Sequence, residues 1–103
     1  MVRNAANEKV LCETPTPGRK PTRIDKWKYE AVRRALRRVI PRRKEGVLFE
    51  DLPEGVAAAL TEEERRRLGS VVWYTTTVKL HLEVIGEIER VPGSAPQRLR
   101  LVK

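Results

Sequence analysis

Cysteine and histidine, two side chains often used for nucleophilic catalysis and metal binding, are each present once in this sequence. Cys12 is the only cysteine and His81 the only histidine among the 103 residues. One thiol and one imidazole form neither a disulfide, nor a zinc site, nor a Cys–His catalytic pair within one chain. The acidic run Glu62–Glu64 lies at the start of a predicted helix, where the helix dipole favours carboxylates, and no base or nucleophile accompanies it. We therefore expect no catalytic residues, no metal and no cofactor, and predict that the protein is not an enzyme.

The composition instead supports electrostatic binding. Lys and Arg number 22 against 14 Asp and Glu, which gives a formal net charge of +8 and a pI near 10.3. An excess of this size favours a polyanionic partner such as nucleic acid. It also suits a solubility or thermal adaptation, in which arginines and intervening glutamates serve only the surface of the fold. Where the cations lie decides between these two interpretations.

The length and hydropathy of the chain indicate one small cytoplasmic domain. A chain of 103 residues builds one core rather than two. No apolar run approaches the roughly 20 residues of a membrane span, and residues 1–20 lack the apolar segment of a signal peptide. A lone cysteine fits a reducing compartment. We predict a cytoplasmic protein with no membrane partner.

Residues 1–23 are predicted to form a flexible basic arm ahead of a domain over residues 24–103. Three prolines and one glycine fall within residues 15–21, a composition that resists regular structure. Arg19, Lys20 and Arg23 give this segment its charge. A flexible basic segment before the first helix is typical of an arm that binds the minor groove of DNA. A solvated tail is the alternative interpretation.

The first predicted helix has an apolar stripe and a basic outer face. It opens at Asp25, a residue type that caps helices, and stops at Pro41. Apolar residues at helical spacing define its buried stripe: Tyr29, Val32, Leu36, Val39 and Ile40. Four arginines lie on the outer face: Arg33, Arg34, Arg37 and Arg38. We expect these arginines to be solvated or to form a second contact surface.

The remaining patterns follow the order of a winged helix-turn-helix. They predict a brief strand at 47–49 and then a helix from Pro53 to Leu60. A short helix opened by a Thr61/Glu64 capping box follows, and then a helix from Ser70 to about Ile85. The last predicted element is a hairpin over 87–102. In the hairpin, Leu99 and Leu101 alternate with Arg98 and Arg100, as in a strand with one covered face. We predict an α+β winged helix-turn-helix of three to four helices, with the C-terminal β-hairpin as its wing.

The helix before the wing enters the major groove in this fold class, so its outward side chains are candidate DNA contacts. The inward side is predicted to hold Tyr74, Val78 and Leu82. The outward side then holds Trp73, Thr76, Thr77 and Lys79. The wing and the arm add Arg98, Arg100, Arg19, Lys20 and Arg23. Core packing of Trp73 and plain solvation of the threonines and wing arginines are the alternatives.

Parts of the chain resemble a family of small bacterial proteins without assigned function. The matching stretches are IDK at 24–26 with Tyr29, SVVWYTTTVKL at 70–80, GEIERVPGS at 86–94 and PQRL at 96–99, so the likeness covers about residues 14–102. The spacing of Val78, Leu82 and Gly86 is also similar to the recognition helix and wing start of bacterial winged-helix regulators. The resemblance implies the fold and brings no established activity.

The sequence thus predicts duplex DNA binding by a transcriptional regulator or nucleoid-associated protein, with the 70–85 helix in the major groove. The alternative is a winged-helix protein–protein interaction module without DNA binding, whose apolar edge would be Leu80, Val84 and Ile85. A monomer and a weak homodimer are equally compatible with the sequence.

Overall fold

In the computed structural model, which describes residues 8–102, four α-helices pack with two small antiparallel sheets. The helices are α1 (Lys26–Val39), α2 (Leu52–Ala59), α3 (Glu62–Leu68) and α4 (Val71–Val84). The strands are β1 (Lys9–Cys12), β2 (Thr22–Asp25), β3 (Val47–Leu48), β4 (Ile88–Arg90) and β5 (Arg98–Leu101). A short 3-10 turn, Phe49–Asp51, joins β3 to α2. The predicted α+β class, and the predicted order of elements from α1 onward, are confirmed.

Helix α1 is the centre of the core and packs against α2 and α4. Its predicted stripe is buried at Val32 and Leu36, while Tyr29 and Val39 are half-buried. Ala31 and Ala35 complete the buried side. Small residues there let neighbouring helices approach closely, which periodicity of large apolar residues alone does not reveal.

Side-chain caps fix the starts of α3 and α4. The Thr61 hydroxyl accepts a hydrogen bond from the Glu64 amide at 3.1 Å, and the Glu64 carboxylate accepts one from the Thr61 amide at 2.9 Å. The Ser70 hydroxyl accepts a hydrogen bond from the Trp73 amide at 3.0 Å. Both predicted starts are confirmed, because the caps satisfy amides that have no partner within the helix.

The C-terminal hairpin forms a three-stranded sheet with β3, in the order β3–β5–β4. Val47 pairs with Leu99 and Ile88 pairs with Leu101. Leu99 and Leu101 face the core, and the intervening arginines lie on the other face, as predicted. Pairing of β5 with both neighbours thus anchors the hairpin to the segment that follows α1.

The N-terminal segment differs from the predicted irregular arm. Strands β1 and β2 form an antiparallel hairpin in which Lys9 pairs with Asp25 and Cys12 with Thr22. Cys12 and Ile24 belong to the core. The prolines of this segment lie in the connection between the strands, where no ladder hydrogen bond is needed. The predicted boundary at residue 24 therefore falls inside β2, and residues 1–7 of the predicted arm lie outside the described residues.

Candidate nucleic-acid interface

Helix α4 exposes only part of its predicted contact set. Trp73 is 46% exposed, and Val72 beside it is also open to solvent. Thr76 and Thr77 are half-buried. The first two turns of α4 therefore contain its accessible predicted residues.

The prediction that Lys79 faces outward was wrong. Its side chain is 2% exposed, and its ammonium lies 2.6 Å from Glu83 Oε2 and 4.6 Å from the ring centroid of Phe49. Burial lowers the pKa of this ammonium, while the Glu83 carboxylate acts in the opposite direction. Tyr74 is half-buried against the core, as predicted, but the buried side of the helix also includes Thr75, and Lys79 lies one turn further on.

The connection between β1 and β2, residues 13–21 and hereafter the β1–β2 loop, lies across the outer side of α4. The Glu13 amide donates a hydrogen bond to His81 Nδ1 at 2.9 Å. Further along the loop, Pro15, Thr16 and Pro17 share a surface depression with Glu83 and Arg90. The loop therefore lies beside the C-terminal half of α4, near His81 and Glu83, on the helix that sequence analysis assigned to the major groove.

A second depression between the β1–β2 loop and α4, hereafter the loop–α4 pocket, collects four predicted contact residues. These are Trp73 and Thr77 from α4 and Arg19 and Lys20 from the loop. The rest of its lining is Cys12, Glu13, Thr14, Thr22 and Leu80, and it encloses about 100 Å³. The pocket thus combines two cations, three hydroxyl groups and one indole ring.

The cations of the pocket are available to a ligand. Arg19 and Lys20 are both exposed. Among residues 8–102, neither of them belongs to an ion pair with a carboxylate. Cations without a carboxylate partner favour an anionic ligand, because no internal pair has to be broken when it binds.

Arg23 and the wing arginines lie outside this pocket. Arg23 is exposed on β2, opposite Leu11 of β1. Arg100 binds Glu89 Oε2 at 2.6 Å and the Lys44 carbonyl at 3.0 Å, so it is neutralised within the fold. Arg98 is half-buried and, among the described residues, has no carboxylate partner. The wing therefore contributes one available cation from its predicted pair.

The arginines of α1 are mainly structural, which sequence analysis did not predict. Arg33 binds Glu87 through two hydrogen bonds of 2.9 and 2.7 Å, and Arg37 reaches the same carboxylate at 3.2 Å. Arg34 binds Glu64 at 2.7 Å. Sequence analysis expected solvation or a second contact surface for these side chains and did not predict their ion pairs, in which they remain partly exposed. Much of the positive charge on this helix is therefore balanced internally.

The pocket residues that sequence analysis missed are those brought in by the β1–β2 hairpin. Thr14 and Thr22 carried no motif of their own. The available signal was the two-residue spacing within each run, between Val10 and Cys12 and between Thr22 and Ile24. This spacing places these four side chains on one face of a strand pair. Each run is four residues long, too short to outweigh the prolines between them.

The described residues offer little for metal or thiol chemistry. Residues 8–102 contain no group of three or more His, Cys, Asp and Glu side chains that could hold a metal ion. Cys12 is buried, and burial raises the pKa of its thiol to about 11.

None of the helices within residues 8–102 has the length and apolar character needed to cross a membrane.

Comparison with known proteins identifies a family whose function is not assigned. No curated protein and no solved structure matches the chain. A family model described as "Family of unknown function (DUF6958)" matches residues 9–99, from the start of β1 into β5. The match includes the whole β1–β2 hairpin and α4, and it confirms the expected membership of a family without assigned function. The chain belongs to this family, DUF6958.

Proposed function

We propose that this protein is a winged-helix protein that binds duplex DNA through the N-terminal half of α4 and the β1–β2 loop, as a bacterial transcriptional regulator or nucleoid-associated protein. The element order supports the fold assignment: α1 and β3 are followed by helices and then by a hairpin whose second strand pairs with β3. Along the chain, helix α3 lies between α2 and α4, so α4 is the last helix before the hairpin. The helix before the wing is the element that enters the groove in this class.

The observation that carries the proposal is the grouping of Arg19, Lys20, Trp73 and Thr77 at one surface. The two cations are without carboxylate partners among residues 8–102, in a protein whose formal net charge is +8. Arg and Lys bind phosphates, and threonine hydroxyls bind phosphates or base edges. These residue types commonly contact DNA.

The coverage of α4 restricts how the helix would meet the duplex. The β1–β2 loop lies over α4 near His81 and Glu83, whereas Val72 and Trp73 are open. Recognition helices contact base edges mainly through their N-terminal residues. In the proposed complex the first two turns of α4 face the groove, and the loop places Arg19 and Lys20 against the adjacent phosphates.

Fluorescence anisotropy with a labelled random duplex, over a series of salt concentrations, tests the proposal. The logarithm of the affinity should fall linearly with the logarithm of salt, with a slope of about 0.9 for each phosphate neutralised. The double variant Arg19→Ala/Lys20→Ala should weaken binding and reduce the slope. Arg38→Ala/Arg42→Ala is the matched control, because both side chains are exposed and outside the ion pairs of the described residues. Absence of duplex binding at low salt would overturn the proposal, and equal losses in both double variants would reject this location.

The alternative, a protein–protein interaction module, has one supporting observation. Val84 and Ile85, at the C-terminal end of α4, are 42% and 47% exposed. Exposed apolar side chains grouped in this way suit protein contacts. Complexes that resist nuclease, persist in Arg19→Ala/Lys20→Ala and disappear in Val84→Asp/Ile85→Asp would favour this second function.

A further inference from the structure

We propose that the loop–α4 pocket binds a nucleoside monophosphate unit, with the phosphate at Arg19 and Lys20 and the base stacked on Trp73. This inference goes beyond the proposed function, because it assigns the pocket to an unpaired nucleotide rather than to a duplex. The two sources of such a unit are an unpaired nucleotide of a DNA strand and a free mononucleotide. Both present the same phosphate and the same aromatic base.

The indole of Trp73 is the base-stacking element. It lines the pocket and remains 46% exposed, whereas the other tryptophan, Trp27, is packed against the core. Tyr74 lies edge to face with Trp73, with ring centroids 4.8 Å apart and planes at 81°. Unpaired bases stack on aromatic rings that are exposed, fixed by a neighbouring side chain and close to cations.

The phosphate-binding element is the polar side of the pocket. Arg19 and Lys20 supply charge, and the hydroxyls of Thr14, Thr22 and Thr77 supply donors for phosphate oxygens. Pockets that bury a whole drug-sized ligand measure roughly 300–1,000 Å³. At about 100 Å³, this pocket encloses only part of a nucleotide and leaves the base at the rim.

Glu13 is the one carboxylate of the pocket lining and opposes an anionic ligand. Its contact with His81 is made by the backbone amide, so a side-chain substitution leaves that hydrogen bond in place. Glu13→Gln should therefore strengthen the binding of a nucleotide without releasing the loop. A purely apolar ligand would show no such gain.

Tryptophan fluorescence of the full chain, with Trp27→Phe as the background, tests the inference with three probes: AMP, a single-stranded oligonucleotide and a blunt duplex. AMP and the single strand should quench Trp73, and AMP should compete with the single strand. Fluorescence anisotropy of a labelled single strand measures the Trp73 variants, which lack the reporting indole. Since stacking on an aromatic side chain is usually a large part of single-strand affinity, Trp73→Ala should weaken single-strand binding by roughly 5- to 150-fold, and Trp73→Phe should restore most of it. Thermal unfolding of each variant verifies that it remains folded.

The outcomes separate this inference from the DNA-binding proposal. If the duplex binds but AMP neither quenches Trp73 nor competes with the single strand, the pocket assignment is overturned and DNA binding stands. If AMP quenches Trp73 and no oligonucleotide binds, the pocket assignment stands with a free mononucleotide as its ligand, and the DNA-binding proposal fails. If none of the three probes binds, both are overturned.

Discussion

Lys79 is a charged side chain that belongs to the small core of this protein. Its ammonium contacts the carboxylate of Glu83 and the ring of Phe49, so it links α4 to the turn before α2. Arg90 of β4 binds the other oxygen of Glu83 at 2.7 Å. The pair is therefore a connection between three elements rather than part of a DNA surface. Breaking a buried pair is costly, because the remaining charge loses its partner.

We expect Lys79→Ala to lower the free energy of unfolding by about 2–4 kcal/mol, since it opens a cavity and leaves Glu83 with only Arg90. Lys79→Met, which keeps the long apolar stem, should cost less. Urea denaturation of the three proteins measures both effects. Weaker DNA binding by a Lys79→Ala protein of unchanged stability would contradict the buried role of this residue.

At the scale of elements, Gly46 allows the segment after α1 to lie against the C-terminal sheet. Its φ is +66°, and a Cβ atom at this position would be 2.3 Å from the Leu99 carbonyl oxygen. On the same strand, the Leu101 amide donates a hydrogen bond to the Pro41 carbonyl at 2.8 Å. Residues 41–46 can follow β5 this closely only because position 46 has no side chain.

We expect Gly46→Ala to lower the free energy of unfolding by about 2–4 kcal/mol, through backbone strain and the collision with β5 together. Gly93→Ala is the matched control, since Gly93 has a φ of +76° but no heavy atom within 4 Å of its added Cβ. The control isolates the strain and should cost only about 1–2 kcal/mol. Thermal unfolding compares the two variants, and equal losses would show that close packing at Gly46 is unimportant.

The capping box of α3 can be tested with a similar pair of variants. Thr61→Ala removes the acceptor for the Glu64 amide, so it should lower the free energy of unfolding by about 1 kcal/mol. Thr61→Ser keeps the hydroxyl and should be nearly neutral. Chemical denaturation measures both, and an equal loss in the serine variant would assign the effect to the methyl group of Thr61.

Elements with a local signal were predictable from the sequence. Ser70 and the Thr61/Glu64 pair mark helix starts through bonds within three residues, so α3 and α4 were found. The β1–β2 hairpin was not found, because its pairing joins short runs across a proline-rich connection. The role of Lys79 was equally hidden: a Lys and a Glu at i and i+4 are usually an exposed ion pair, and only tertiary packing buries this one.

The candidate site was predictable only in part, for the same physical reason. Composition and helix phase selected Trp73, Thr77, Arg19 and Lys20, and the structure brings these four together. Which side of α4 remains open depends on the β1–β2 loop, and local patterns contain no information about that contact. A fold-class template alone would have left the whole outer side of the helix exposed.

At the scale of the whole molecule, two carboxylates join α1 to distant parts of the chain. Glu87, between α4 and β4, binds Arg33 and Arg37. Glu64 of α3 binds Arg34. The pKa of Glu87 is lowered mainly by the hydrogen bond from Arg33. The pKa of Glu64 is lowered mainly by the hydrogen bond from the Thr61 amide, and next by the hydrogen bond from Arg34. Both carboxylates are thus stabilised in the charged form by the folded state.

These lowered pKa values predict a loss of stability in acid. The ordinary pKa of a glutamate carboxyl group is 4.5, and both groups have a lower pKa in the folded state. Such a group makes its full contribution to the free energy of unfolding when the pH is above its ordinary pKa. The contribution is lost as the pH falls through the folded pKa, because protonation then favours the unfolded chain. We therefore expect the free energy of unfolding, measured by urea denaturation between pH 7 and pH 3, to decrease below about pH 4.5. In Glu64→Gln/Glu87→Gln it should be lower at pH 7 and should decline less steeply in acid, since both groups are already neutral. Parallel pH profiles for the two proteins would mean that other groups, rather than the ion pairs of Glu64 and Glu87 with α1, cause the loss of stability in acid.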